Sequence, residues 1–284
     1  MQADFSRKEV KAMLDTLSFV FSQGFMQRAV IGGIIISLCA ALLGVSLVLK
    51  RYSMIGDGLS HVGFGAVVVA SALNFAPLAV AIPVVIVAAF LLLRLGESSS
   101  LKGDSAVALV STGSLAVGVA ASSLSGGMNQ DFNSYMFGTI LGLSDTDVMM
   151  SICVCIPVLL LFLLFYNKIF AVTFDETFCR ASGINVKLYN ALVAVLTALI
   201  IVLGMRLMGA LLISSLIIFP ALTSMRVCRT FKSVIISSAV VSVCCFFLGI
   251  CASVLFDLPT GASIVLANIL FFALFFVAGK LMKR

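Results

Sequence analysis

Charge is scarce in this chain. Lys, Arg, Asp and Glu make up 11% of its 284 residues, and there is one histidine. Several chemistries are absent with them. No G-x-x-x-x-G-K-[ST] phosphate loop occurs, so the chain does not hydrolyse ATP by that route. No H-E-x-x-H occurs, and a single histidine cannot build a zinc-protease site. No two of the eight cysteines form a CxxC pair, and most lie in apolar stretches, where free cysteine behaves as a small hydrophobe.

What is present is hydrophobicity. The chain is 62% apolar, with a mean hydropathy of +1.22. No soluble domain of this size has that balance, so the reading is an all-α, polytopic transmembrane helical bundle. Nine apolar segments can be marked, at about Met26–Leu49, Met54–Leu73, Pro77–Leu95, Ser105–Leu124, Val148–Tyr166, Leu188–Leu203, Met208–Met225, Val234–Phe256 and Ala262–Leu281. The sixth and seventh touch across Gly204–Leu207, so the bundle has eight or nine spans. Residues 1–25 read as an N-terminal interfacial segment, with Val10–Phe25 mildly amphipathic and no signal-peptide cleavage site. Residues 26–284 form the membrane domain.

Loop charges set the orientation. Thirteen of the 18 Lys and Arg fall on one side: Lys50, Arg51, Arg94, Lys102, Lys168, Arg180, Lys187, Arg226, Arg229, Lys232, Lys280, Lys283 and Arg284. That side is cytoplasmic by the positive-inside rule. The net charge of +6 is this edge excess and gives no reason to expect nucleic acid.

Asp57 and His61 are the only acid and the only histidine within an apolar, membrane-length segment. They are four residues apart, so a helix puts them on one face. Measured from Arg51 they lie roughly 9 and 15 Å deep. Three readings stand: a hydrogen bond that fixes packing, a proton relay, or a transient divalent-metal site. Ser60, Ser111, Thr112, Ser214 and Ser215 are candidate oxygen donors to complete such a site. Four glycines in this helix, Gly56, Gly58, Gly63 and Gly65, permit either tight packing or a loosened backbone.

The Asn167–Lys187 loop is the second feature. Phe174, Asp175, Glu176, Phe178, Arg180 and Gly183 suggest a short amphipathic helix along the membrane, with acids at its start and Gly183 at its end. It is either an ordinary charged loop or a docking segment for a cytoplasmic partner. In the docking reading, Phe174, Phe178 and Ile184 share one apolar arc.

These residues resemble a known family. Gly56-Asp57-Gly58-Leu59-Ser60-His61 is similar to the Asp-Ala-Leu-Ser-His signature of the zinc/manganese permeases of ATP-binding-cassette importers. Phe137–Gly142, Gly209–Ala221 and Asp257–Leu266 agree in order, and 174–187 is similar to the family's cytoplasmic coupling segment. The chain departs at Gly58, where alanine is usual, and at Phe64, where proline is common. The resemblance implies a non-enzymatic permease of the bacterial plasma membrane that moves Zn2+ or Mn2+, with zinc favoured, and keeps no permanent cofactor. It implies a homodimer, cytoplasmic ATP-binding subunits and an external metal-binding protein, with Asp57 and His61 as metal ligands. The alternative is a proton-coupled secondary metal carrier that works without an ATPase. A hydrolase using Ser60 with His61 fails on geometry, because adjacent helical residues point about 100° apart.

Overall fold

The structure is a computed structural model. It describes residues 15–96, 103–124, 136, 138 and 144–282. Long apolar runs can hide their backbone polar groups in a bilayer only as helix, and helix is what they form. In chain order the helices are α1 (Gly24–Leu49), α2 (Ser53–Ala72), α3 (Pro77–Gly96), α4 (Gly103–Leu124), α5 (Asp145–Leu164), α6 (Tyr166–Phe174), α7 (Glu176–Ala181), α8 (Val186–Met208), α9 (Ala210–Ser224), α10 (Phe231–Phe256) and α11 (Thr260–Met282). Residues 15–22 are also helical, whereas the start of the expected interfacial segment, at residues 1–14, lies outside the described residues. Among the described residues eight helices are long and apolar enough to cross a membrane, and α9 is a shorter apolar helix.

Two boundaries differ from the sequence expectation. The break between α8 and α9 falls at Gly209, not across Gly204–Leu207. Gly209 has φ 90° and turns the chain, whereas Gly204 stays helical beneath the side chain of Ile213. The 167–187 connection is also more ordered than one short helix. It contains α6 and then α7, separated at Asp175, whose backbone is extended and whose side chain caps α7.

Ion pairs identify the two ends of the bundle. Arg28, early in α1, bonds Asp145 at 2.8 Å, and Arg206, late in α8, bonds Asp147 at 2.8 Å. Lys50, just after α1, pairs with Glu176 of α7 at 2.9 Å, and Glu176 also faces Arg180 at 3.5 Å. Arg28 and Arg206 therefore stand at one end and Lys50 and Arg180 at the other, the same partition as the loop charges give.

α1, α8 and α9 form the centre. Ile36, Leu43, Ile200, Ile201, Met205, Ile213 and Leu216 are fully buried among them. A Cβ on Gly44 would lie 2.0 Å from the Ile217 carbonyl oxygen, so α1 and α9 touch through backbone. Serines close the same core with hydrogen bonds in place of water. Ser242 of α10 donates to the Ser37 carbonyl of α1 at 3.0 Å. Helix association in lipid gains little from hydrophobicity, and such close approaches and polar clasps replace it.

Candidate functional site

α1 ends at Lys50, and Arg51 adopts a left-handed conformation, φ 62°. The Tyr52 N–H then donates to the Leu47 carbonyl at 2.8 Å, which reverses the chain into α2. α2 is one unbroken helix despite its four glycines. A Cβ on Gly58 would lie 2.6 Å from Val107 of α4, and one on Gly65 would lie 2.5 Å from the Ser114 carbonyl oxygen. These glycines are contact points between helices, and the loosened-helix reading is set aside.

The packed sides of α2 leave one strip open. Gly58 and Gly65 face α4, while Gly56 and Gly63 face Ile217 of α9 and Met205 of α8. Asp57 and His61 project between those two sides. Their side chains are 43% and 24% exposed, and His61 Nε2 lies 3.7 Å from Asp57 Oδ2. That is too long for a hydrogen bond, and neither side chain makes any other polar contact among the described residues. Ser60, next along, is buried. Its hydroxyl donates to the Asp57 backbone carbonyl at 2.7 Å and lies 3.2 Å from the Ser214 hydroxyl of α9. Ser215 points elsewhere and donates to the Leu212 carbonyl.

A carboxylate oxygen and an imidazole nitrogen side by side are a fragment of a divalent-metal shell. Among the described residues no group of three His, Cys, Asp or Glu side chains stands together. Among the described residues the strip therefore presents two such donors, one carboxylate and one imidazole.

Beside the Lys50 turn, at the same end of the bundle, α7 is built from its caps. The Asp175 carboxylate accepts from the Phe178 N–H at 2.8 Å. Gly183, φ 76°, closes the helix, with the Ile184 N–H donating to the Cys179 carbonyl at 2.9 Å. Cys179 is buried with Val172 and Val186 in a small apolar patch separate from the main core. Phe178 and Arg180 point outward, 65% and 61% exposed. Phe174 ends α6 and packs its ring on Phe170 and Phe231. The expected common arc of Phe174, Phe178 and Ile184 does not form. Ile184 turns inward onto the Cys179 patch because the chain has already left the helix at Gly183.

Sequence reasoning missed two partners of this segment. Lys50 Nζ bonds both Glu176 and the Asn190 side-chain oxygen, and Asn190 Nδ2 donates to Glu176 at 3.0 Å. Nothing in the sequence links positions this far apart. Of the family-like stretch Phe137–Gly142 only Gly138 is among the described residues. It has φ 77°, and a Cβ there would lie 2.1 Å from the Met208 carbonyl oxygen. Of the Gly-rich stretch Ser122–Asn129, which the sequence suggests as an external loop, Ser122–Leu124 end α4 and the rest lies outside the described residues.

Helices throughout the described residues, eight of them long and apolar enough to cross a membrane and one carrying a polar pair on its open side, define the class of multi-span membrane proteins. The sequence profile of the ABC 3 transport family matches residues 22–279, and the chain belongs to that family. It is 30% identical over 257 residues to the "Manganese import system permease protein ScaB" of Streptococcus gordonii, covering 90% of this chain and 92% of that one. It is 29% identical over 246 residues to the "High-affinity zinc uptake system membrane protein ZnuB" of Haemophilus influenzae, covering 87% of this chain and 94% of that one. Among solved structures, "PsaBC from Streptococcus pneumoniae in complex with Fab" superposes with a TM-score of 0.83 at 29% identity, covering 94% of this chain and 95% of its counterpart. The family and the bundle agree with a multi-span protein of the bacterial plasma membrane.

Proposed function

We propose that this chain is the permease subunit of an ATP-driven importer for divalent metal ions, with zinc ahead of manganese. It works as a homodimer, takes metal from an external binding protein, and draws its energy from separate cytoplasmic ATP-binding subunits. The observation that carries the reading is the Asp57–His61 pair: two metal-ligand types one helical turn apart, half-open and otherwise unpartnered. A second copy brought against that strip doubles the donors to four. The count meets zinc's preference, yet the site stays open enough to release its cargo.

Zinc leads because, for the same nitrogen–oxygen donors, zinc binds more tightly than manganese in the divalent series. Relatives named for each metal give both ions a place in the test. The missing phosphate loop supports an ATPase on another chain. The exposed, capped α7 gives that ATPase a surface to grip.

The test is uptake of radiolabelled zinc and manganese into proteoliposomes that hold equal amounts of wild type, Asp57→Asn or His61→Ala. Each variant is expected to insert and assemble but to lose uptake. Wild-type uptake in both variants would reduce the pair to packing. Uptake without ATP-binding subunits that collapses with the proton gradient would favour the secondary-carrier reading.

A further inference from the structure

Among the described ion pairs, the least exposed cation is Lys50, whose side chain is 11% exposed. Its ammonium donates to Glu176 Oε1 at 2.9 Å and to the side-chain oxygen of Asn190. Asn190 Nδ2 donates to the same Glu176 oxygen at 3.0 Å. The three side chains close a triangle, and its chemistry fixes each member: the cation takes the amide oxygen, so the amide nitrogen must face the carboxylate. The corners belong to the end of α1, to α7 and to α8.

α7 has few other attachments. Its inward apolar contact is the small patch around Cys179, apart from the main core. Among the described residues, Glu176 makes the only side-chain polar contacts from α7 to the membrane helices. Lys50 is also the last residue before the left-handed turn at Arg51 that starts α2, and Asp57 follows seven residues later. The triangle therefore ties α7 to the turn that leads into the helix carrying Asp57 and His61.

We propose that Lys50 and Asn190 are positioning residues that lock the coupling helix α7 to the base of α2, so that ATPase motion at α7 moves the Asp57–His61 strip. This rests on the reading of 174–187 as the ATPase docking segment. An apolar anchor would hold α7 but would slide. A charge-assisted, three-way joint has direction and transmits it.

The experiment uses the complete complex of permease and ATP-binding subunits in proteoliposomes, with zinc as probe. The readout is metal moved per ATP hydrolysed, beside co-purification of the subunits. Lys50→Met and the near-isosteric Glu176→Gln are expected to keep the subunits together while the transport ratio falls about tenfold. Lys50→Arg, and the exchange Lys50→Glu with Glu176→Lys, are expected to recover most of it. A wild-type ratio in both Lys50→Met and Glu176→Gln overturns the joint. So does an exchange variant no better than either single change. Phe178→Asp separates the two levels of the argument, because it should release the ATP-binding subunits without touching the triangle. If Phe178→Asp leaves docking intact, the docking reading itself fails and the joint falls with it.

Discussion

Gly65→Ala isolates the packing that holds the Asp57–His61 strip open. A Cβ at Gly65 would lie 2.5 Å from the Ser114 carbonyl oxygen and 3.2 Å from its carbonyl carbon. Carbon–oxygen contacts relax only at roughly 3.3–3.6 Å, so α2 and α4 must part by about 1 Å. The obstacle is backbone, and no rotamer change can clear it. Gly118 of α4 crosses at the same point, 3.0 Å from the Gly65 Cα when a Cβ is built on it, so sliding along the crossing brings no relief. Overpacking of this kind costs about 1–3 kcal/mol. Gly113→Ala is the control on α4, since nothing lies within 4 Å of a Cβ there. It should be neutral, or stabilise by about 0.5 kcal/mol through helix propensity. Thermal unfolding of both variants in lipid nanodiscs reads the difference, at about 2–4 °C per kcal/mol for a chain of this size. Equal melting temperatures for Gly65→Ala and Gly113→Ala would refute the backbone contact as the determinant of this interface. A stable Gly65→Ala protein that still loses metal uptake would show that the strip, and not the fold, is sensitive to that spacing.

Gly183→Val should disturb α7 through backbone strain alone. Its φ is 76° with open space at the Cβ, so the cost is about 1–2 kcal/mol for valine and less for asparagine, which tolerates that region. Metal-stimulated ATPase activity should fall for Gly183→Val and hold for Gly183→Asn, and equal activities would count against the turn. Single cysteines at Gly183 and Asp257, in a cysteine-free background, should label from opposite sides with an impermeant thiol reagent, and labelling from the same side would overturn the charge-based orientation. The Glu176 carboxyl is pushed up by burial. Hydrogen bonds from Lys50 and Asn190 and the charges of Lys50 and Arg180 more than reverse that, so it titrates below its ordinary value. The contribution of Glu176 is then present above the usual carboxylate range and is lost as pH falls through the lowered value. Limited proteolysis between α6 and α8 should be flat from about pH 7.5 to about pH 5 and accelerate below, and Glu176→Gln should flatten the acid branch. Acceleration already near about pH 6 would contradict the depressed carboxyl.

The membrane helices were legible because each apolar run exceeds the bilayer requirement and has one way to satisfy its backbone. Their ends were less so. Gly204 and Gly209 are both plausible breaks in the same apolar stretch, and only the backbone angle at Gly209 decides between them. Asp57 and His61 stood out because polarity at depth is rare, but the strip they occupy became visible only when Gly58 and Gly65 were seen to touch α4. The amphipathic loop was recognised, yet Asp175 divides it into two helices and turns Ile184 away from Phe178. The contact of Lys50 with Glu176 and Asn190 carried no signal, because partners 126 and 140 positions apart have no pattern in one sequence.

α9 has one consequence beyond packing. At 1.5 Å per residue its 15 residues reach about 22 Å, against a hydrocarbon slab of about 30 Å. At its start the chain turns at Gly209, and the Met208 carbonyl oxygen lies against the backbone of Gly138. Such backbone survives at that depth only under protein cover or against water. Ser214 of α9 meets Ser60, so this short helix lies beside the strip that carries Asp57. A helix that stops short of the slab leaves its end carbonyls and amides at bilayer depth, and such dipoles make a nearby charge less costly than hydrocarbon does.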